Sequence, residues 1–218
     1  MAGGKRQEDP FMQPEAELFV ADIPPVHYAL LNKYNVLDRH LLVVTRAYVD
    51  QDEPLDRGDF EALAACMGDE AVLGFYNGGK IAGASQRHKH LQVVRLPLSP
   101  REEIPVEAIF GTLEGTRLRA LPVRHAFARV GRDPGSWLAR YQELRRIVDP
   151  GSGPYNLLVA RDWMLLVPRS RESFGSISVN SLAFAGGLFV RNNEELRAIE
   201  RAGPMAVLRG VAFPEDRT

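Results

Sequence analysis

The segment His88-Lys89-His90-Leu91-Gln92 sets two imidazoles and a carboxamide at alternating positions. On an extended strand, side chains alternate faces with a period of two. His88, His90 and Gln92 then share one face, while Leu91 and Val93 turn to the other with the stem of Lys89. An imidazole has a reference pKa of about 6.5 and is largely neutral at neutral pH. Such a ring can attack phosphorus, form a cationic N–P adduct and pass the group to a second nucleophile, so that one hard step becomes two easier ones.

The phosphate oxygens gather charge in that reaction and need preorganised donors. The preceding stretch, Asn77-Gly-Gly-Lys-Ile-Ala-Gly-Ala-Ser-Gln86, reads as a small-residue loop that brings backbone N–H groups close to an anion. Ser85 and Gln86 add side-chain donors, and Gln92 is placed to hold a phosphate oxygen or the bridging oxygen. Two duller readings stand beside this one. His-x-His on a strand can bind metal, although Gln is a poor third ligand for zinc. Both histidines could also be hydrogen-bonded core residues. A glycine-containing turn alone would say little; the loop joined to the histidine strand says more.

The elements that must hold this segment can be read from pattern. Leu18–Ala21, His27–Lys33 and Arg39–Thr45 read as short apolar strands. Leu55–Met67 has helical spacing, an acidic first turn and Gly68 just past its end. Ala71–Tyr76 and Gln86–Leu96 are expected as an antiparallel pair joined through the loop. Residues 97–105, rich in proline and charge, read as a linker or long excursion. A strand is expected over Leu121–Ala128, then a helix to Val148 with Ser136 as its N-cap. Tyr155–Ala160 and Trp163–Pro168 read as a strand pair, and Asn193–Ala202 as a surface helix ended by Gly203-Pro204. Residues 1–14 are expected to hang loosely until Phe11 or Leu18 finds a core contact. The class is α+β, a mostly antiparallel β-sheet with flanking helices, in one compact domain over residues 1–218.

Composition narrows the classes. The chain has 218 residues, with 27 Lys plus Arg against 28 Asp plus Glu, so no basic field for nucleic acid is present. No apolar run reaches membrane-spanning length, residues 1–15 carry no signal-like core, and the cytoplasm is the expected compartment. Cys66 is the one cysteine, which rules out an intrachain disulfide and a cysteine-rich zinc site. It falls in a helical pattern and reads as packing. His27, His40 and His125 read as packing or capping residues, and for Lys33 a solvated strand end and a functional cation are equally open.

Asn77 through Gln92 resembles the histidine-triad superfamily signature in the form where Gln replaces the third His. Gly83-Ala-Ser-Gln followed by His-Lys-His-Leu-Gln92 is similar to the diadenosine tetraphosphate phosphorylases, also called ATP adenylyltransferases. Leu18-Phe-Val-Ala-Asp22, Leu30-Leu-Asn-Lys33 and His40–Arg46 resemble that family's N-terminal half. Tyr155–Leu158, Trp163-Met164, Pro168-Arg-Ser170 and Asn180–Gly186 resemble its C-terminal half.

The resemblance implies a histidine-triad-like core with a C-terminal extension. Residues 15–98 would bear the motif, and 106–218 would complete the nucleotide site. It implies His90 as the nucleophile carrying the adenylyl group, with His88 positioning it. Gly83, Ala84, Ser85, Gln86 and Gln92 would contact phosphates, and Asn77 the nucleotide. Asn32 and Lys33 match a substrate-binding pair, Asn180, Ser181 and Leu182 a second nucleotide-contacting segment, and Arg191 stands where the family often has Lys. A basic contact expected upstream falls to Lys5 or Arg6. Gly187 replaces a common Met, and Arg87 a common Pro.

The implied ligands are diadenosine polyphosphates, ATP, ADP and inorganic phosphate. The implied reaction is phosphorolysis through an adenylyl-histidine, with no covalently bound cofactor. A divalent Mg or Mn ion would ride on the substrate's phosphates. A hydrolase using the same covalent step, or a nucleotide-binding protein without turnover, are the alternatives.

Overall fold

A computed structural model describes residues 9–35, 37–131, 133–148, 151 and 153–215. Lys5 and Arg6 lie outside the described residues. Eight antiparallel strands form the main sheet: β1 (Phe19–Ile23), β2 (His27–Leu31), β3 (Leu41–Thr45), β4 (Val72–Gly78), β5 (His90–Arg95), β8 (Ala126–Arg129), β9 (Tyr155–Val159) and β10 (Trp163–Pro168). Their order is β1-β2-β3-β5-β4-β9-β10-β8, so β4 and β9, from the two halves of the sequence, are neighbours near the centre. Two small hairpins, β6 (Leu113–Glu114) with β7 (Arg117–Leu118) and β11 (Ser173–Phe174) with β12 (Ile177–Ser178), lie off the sheet.

The described residues also form five α-helices: α1 (Arg57–Met67), α2 (Pro134–Val148), α3 (Ser181–Ala185), α4 (Asn193–Ala202) and α5 (Pro204–Val211). Helices α1 and α2 cover one face of the sheet. There Phe60, Leu63 and Met67 of α1 and Trp137, Tyr141 and Leu144 of α2 meet Val43, Leu91, Val93, Tyr76, Leu157, Met164 and Leu166. The opposite face is closed by residues 104–127 and by α3 to α5, against Leu73, Phe75, Val94, Leu158, Leu165 and Val167. A third cluster on that second face joins Phe11 to Tyr28, Leu30, Leu42 and Val44. Phe11 is therefore the contact that ties the N-terminal segment down. Each fully buried Leu or Phe in these layers contributes roughly 1.5–3 kcal/mol.

Helix α1 shows how the local sequence sets a start. Asp56 caps it, accepting from the Asp59 N–H at 3.0 Å, while Asp59 accepts in return from the Asp56 N–H at 2.9 Å. Asp59 also binds His27 at 2.9 Å and the Lys89 ammonium at 3.1 Å, all three groups being buried. Lys89 thus turns away from the neighbouring histidines, as the alternation requires, and tethers the motif to the helix N-terminus.

Several boundaries differ from expectation. Asn77 and Gly78 belong to β4, and the connecting loop begins only at Gly79. Strand β5 starts at His90; His88 makes an isolated bridge to Asp50 instead. Pro134 opens α2, so Ser136 lies inside its first turn, its hydroxyl donating to Asp133 O rather than capping. Residues 105–112 form a 3-10 helix, and the strand expected from Leu121 spans only Ala126–Arg129. Pro204 opens α5 directly behind α4, since its fixed φ suits a first helical turn as well as a stop.

Candidate active site

A cavity of about 510 Å³ opens on the second sheet face, over β5, between the Phe11 cluster and the C-terminal layer. One side is apolar: Phe11, Leu18, Leu30, Leu31 and Leu42. The other is polar: His40, Asn77, Gly83, Ser85, Gln86, His90, Gln92 and Asn180. Asn32, Lys33 and Tyr34 also line it, with Glu15 opposite them. An apolar recess joined to a polar trough matches a planar base joined to phosphates.

His90 sits in the trough with its ring orientation fixed. Nδ1 lies 2.8 Å from the carbonyl oxygen of His88. A carbonyl only accepts, so Nδ1 carries the proton and Nε2 keeps a lone pair. Burial pulls the His90 pKa down to about 4; the His88 carbonyl opposes the shift, and the nearby His88 and His40 rings reinforce it. The ring is thus neutral at neutral pH. Protonation would remove the lone pair, so kcat/KM, which reports the free enzyme, is expected to stay level from neutrality downward and fall through pH about 4. A fall centred near the usual histidine value would contradict this assignment.

The first motif histidine does not line the cavity. His88 is buried behind His90, its Nε2 at 2.7 Å from Thr45 O and its Nδ1 at 2.8 Å from Asp9 Oδ2. Phe11 lies edge-on to both rings. Residues 9–15 therefore form a strap over this end of the site, anchored where the Tyr28 hydroxyl donates to Phe11 O. Burial pushes that hydroxyl up to about 12, so it remains a donor.

Gln92 is oriented by a chain of donors. The Tyr34 N–H holds Asn32 Oδ1 at 3.0 Å, which turns Asn32 Nδ2 to His40 Nδ1 at 3.3 Å. His40 Nε2 then donates to Gln92 Oε1 at 2.8 Å. Burial lowers the His40 pKa against the opposing Gln92 bond, which keeps the ring in the neutral form this chain needs. The Gln92 amide nitrogen is left to donate into the cavity. His40, expected as packing, is thus part of the site. Gln92→Glu places an acceptor where a donor stands, and is expected to slow turnover by on the order of 100- to 1,000-fold, as loss of one oxyanion donor does; a steady-state assay within a few-fold of wild type would refute the donor role.

Asn77 is fixed in the same way. Its Oδ1 accepts from Asn156 Nδ2, the Ser181 N–H and the Ser181 hydroxyl at 2.9, 2.9 and 2.7 Å. The amide nitrogen therefore faces the cavity. Asn77 and Asn156 are cross-strand partners of β4 and β9, so the sheet itself delivers this contact. Asn180 caps α3 by accepting from the Leu182 N–H, and it also lines the cavity. Ser181 acts behind Asn77, and Leu182 belongs to the core.

The loop is built for close approach. Gly83 has φ +95°, and a Cβ there would lie 2.9 Å from Val179 O and 3.0 Å from Asn180 Cα. Its N–H and that of Ala84 bond to Lys80 O and Gly79 O, so they close the turn. Ser85 and Gln86, next in the loop, line the cavity. Behind the loop, the buried Arg169 guanidinium bonds to Ala82 O, Val179 O and Asn156 Oδ1, and burial lowers its pKa to about 10. Lys33 pairs with Glu15 at 2.6 Å across the cavity mouth. Arg191 pairs with Glu195 at 2.7 Å on the surface and does not line the cavity.

Asn156, Arg169 and Gln51 escaped the sequence reading. A lone amide in the apolar run Tyr155–Val159 was a usable signal, because a buried amide must find partners. Gln51 lies in Asp50-Gln-Asp-Glu53, which looks like any solvated loop. Among the described residues, no group of three or more His, Cys, Asp or Glu is placed to hold a metal ion, and no helix is long and apolar enough to cross a membrane.

Residues 2–112 match the family model of the Ap4A phosphorylase N-terminal domain, and residues 119–214 that of the ATP adenylyltransferase C-terminal domain. Diadenosine tetraphosphate phosphorylase 2 of Saccharomyces cerevisiae is 27% identical over 88% of this chain and 71% of its own length. Protein APA1 of the same yeast is 26% identical over 86% and 70%. The crystal structure of yeast Ap4A phosphorylase Apa2 in complex with Ap4A superposes with a TM-score of 0.82 at 25% identity, over 97% of this chain and 82% of that one. A uridylyltransferase structure at 17% identity and TM-score 0.51 shares the fold. With one model spanning the motif-bearing half and the other the remainder, the chain belongs to the Ap4A phosphorylase family.

Proposed function

We propose that this protein is a nucleotidyltransferase that cleaves diadenosine tetraphosphate by phosphorolysis, with His90 as the group that carries AMP. One observation carries the reading: the His90 ring gives its proton to a carbonyl at Nδ1 and keeps its Nε2 lone pair for a cavity lined by an apolar recess and the glycine loop. One adenine enters the recess under Leu30 and Leu42. Its α-phosphorus then meets Nε2. The N–P bond forms as the P–O bond to the next phosphate breaks, and ATP leaves with that electron pair.

No base is needed, since Nε2 carries no proton. The cationic adduct keeps its Nδ1–H on His88 O. Inorganic phosphate then attacks the same phosphorus, the N–P bond breaks, the electrons return to Nε2, and ADP forms. Ser85, Gln86, Asn77 and the Gln92 amide hold the developing negative charge. A divalent ion travels with the polyphosphate and screens it.

Incubation of labelled diadenosine tetraphosphate with and without phosphate tests the reading. Repeated turnover to ATP and ADP in equal amounts is expected only with phosphate; without phosphate, a single ATP per protein and an adenylylated chain. Cleavage to AMP at the same rate without phosphate would make water the acceptor and refute phosphorolysis. Chelation of divalent ions is expected to slow the first step without releasing any ion from the protein itself.

A further inference from the structure

The two strands that carry the motif part company at the nucleophile. β4 and β5 pair from Val72 with Arg95 to Phe75 with Gln92, and there the ladder stops. β5 remains paired with β3 through His90, and β4 with β9 through Gly78. The main chains of His90 and Asn77 face a gap where the next rungs would be. A side-chain amide fills it.

We propose that Gln51 is the positioning residue that sets where His90 stands, by replacing the missing strand with its own carboxamide. Its Oε1 accepts from the His90 N–H at 2.8 Å, and its Nε2 donates to His90 O at 3.1 Å and to Asn77 O at 2.9 Å. Gln51 is 1% exposed. Its backbone is held as firmly: its N–H donates to Arg87 O at 2.7 Å and its carbonyl accepts from the Tyr76 hydroxyl. Burial raises that hydroxyl far above the usual tyrosine range, so it stays a donor. Every polar atom of Gln51 is therefore committed to holding residues 76–90 apart yet in register.

The consequence is specific to chemistry. Strands that zipped two rungs further would drag His90 toward Asn77 and narrow the trough from which the phosphate loop departs. Water in place of the amide would leave His90 loosely placed. Misplacement of a reacting atom by about 1 Å can lower the rate on the order of 100-fold. Gln51 does not line the cavity, so nucleotide binding is spared.

This inference rests on His90 being the group that is adenylylated, and the test separates the two. Single-turnover adenylylation by diadenosine tetraphosphate without phosphate is followed by intact mass, and AMP affinity by calorimetry, for wild type, Gln51→Met and Gln51→Glu. Gln51→Met is expected to be adenylylated on the order of 100-fold more slowly with AMP affinity preserved. Gln51→Glu is expected to be slow when ionised and to recover in part as the solution is acidified, because a protonated carboxyl restores the acceptor for the His90 N–H and one of the amide's two donors.

Adenylylation of Gln51→Met at the wild-type rate would overturn the role, as would loss of AMP affinity in step with rate. Should Gln51→Met fail to fold, the acid recovery of Gln51→Glu decides, and a flat profile counts against the role. A wild-type protein that is never adenylylated would sink the proposed function first, and this inference with it.

Discussion

His90→Ala is expected to abolish phosphorolysis to within on the order of 10⁻⁴ to 10⁻⁶ of the wild-type rate, the scale seen when a covalent nucleophile is removed. The effect follows from how little else in the cavity can attack phosphorus. His40 has both ring nitrogens engaged, one with Asn32 and one with Gln92. His88 lies behind, engaged with Thr45 and Asp9. Lys33 is tied to Glu15. Alanine leaves the apolar recess, Asn77, Ser85 and Gln86 unchanged, so AMP is expected to bind with nearly wild-type affinity. Calorimetry with AMP and intact mass after exposure to substrate check both halves. An adenylylated His90→Ala protein would show that another side chain carries the group.

The second large effect concerns stability. Asp59→Ala removes the one carboxylate that answers the Lys89 ammonium, the His27 ring and the Asp56 N–H. Stranding a buried partner in this way typically costs about 3–5 kcal/mol. For a chain of this size that lowers the melting midpoint by roughly 6–20 °C. Lys89→Met is expected to cost less, because Asp59 keeps His27 and the cap. Burial by itself would raise the Asp59 carboxyl, but the His27 bond, the Lys89 charge and the Asp56 N–H together hold it below the usual carboxylate range.

A depressed carboxylate contributes stability that is complete above its unfolded pKa, about 3.9, and that fades as pH falls through the lower folded value. Wild type should therefore lose stability on acidification over that window, and Asp59→Ala should lack this part of the slope. A variant midpoint indistinguishable from wild type in thermal unfolding would refute the account.

Much of this was legible because it depends on short-range pattern. Alternation placed Lys89 opposite His90 and Gln92, and the fold keeps it there, although the ladder reaches only His90. The acidic first turn and Gly68 marked α1, although the helix opens at Arg57 with Asp56 as its cap and not at Leu55. The loop residues could be named because the motif is local and distinctive, and Asn180 because its segment resembles the family's C-terminal half.

What stayed hidden depends on tertiary placement. Nothing in Asp50-Gln-Asp distinguishes Gln51 from a solvated glutamine, since its partners are main-chain groups 26 and 39 residues away. His40 looked like a strand-end histidine because its role is to orient Gln92, 52 residues on. Asn77 was read as the start of the loop, but the cross-strand partner that keeps it in β4 is Asn156. Periodicity cannot report such pairings.

The neighbouring of β4 and β9 has one more consequence, for the order of events as the chain is made. The motif strand and its loop leave the ribosome early, yet one edge of β4 has no partner until residues 155–159 have followed. Until then Asn77 lacks Asn156 and Ser181, the residues that turn its amide toward the ligand. A nascent chain stopped short of that point displays the signature and an open strand edge that invites association. Its nucleotide site stays unfinished until the C-terminal half has been made.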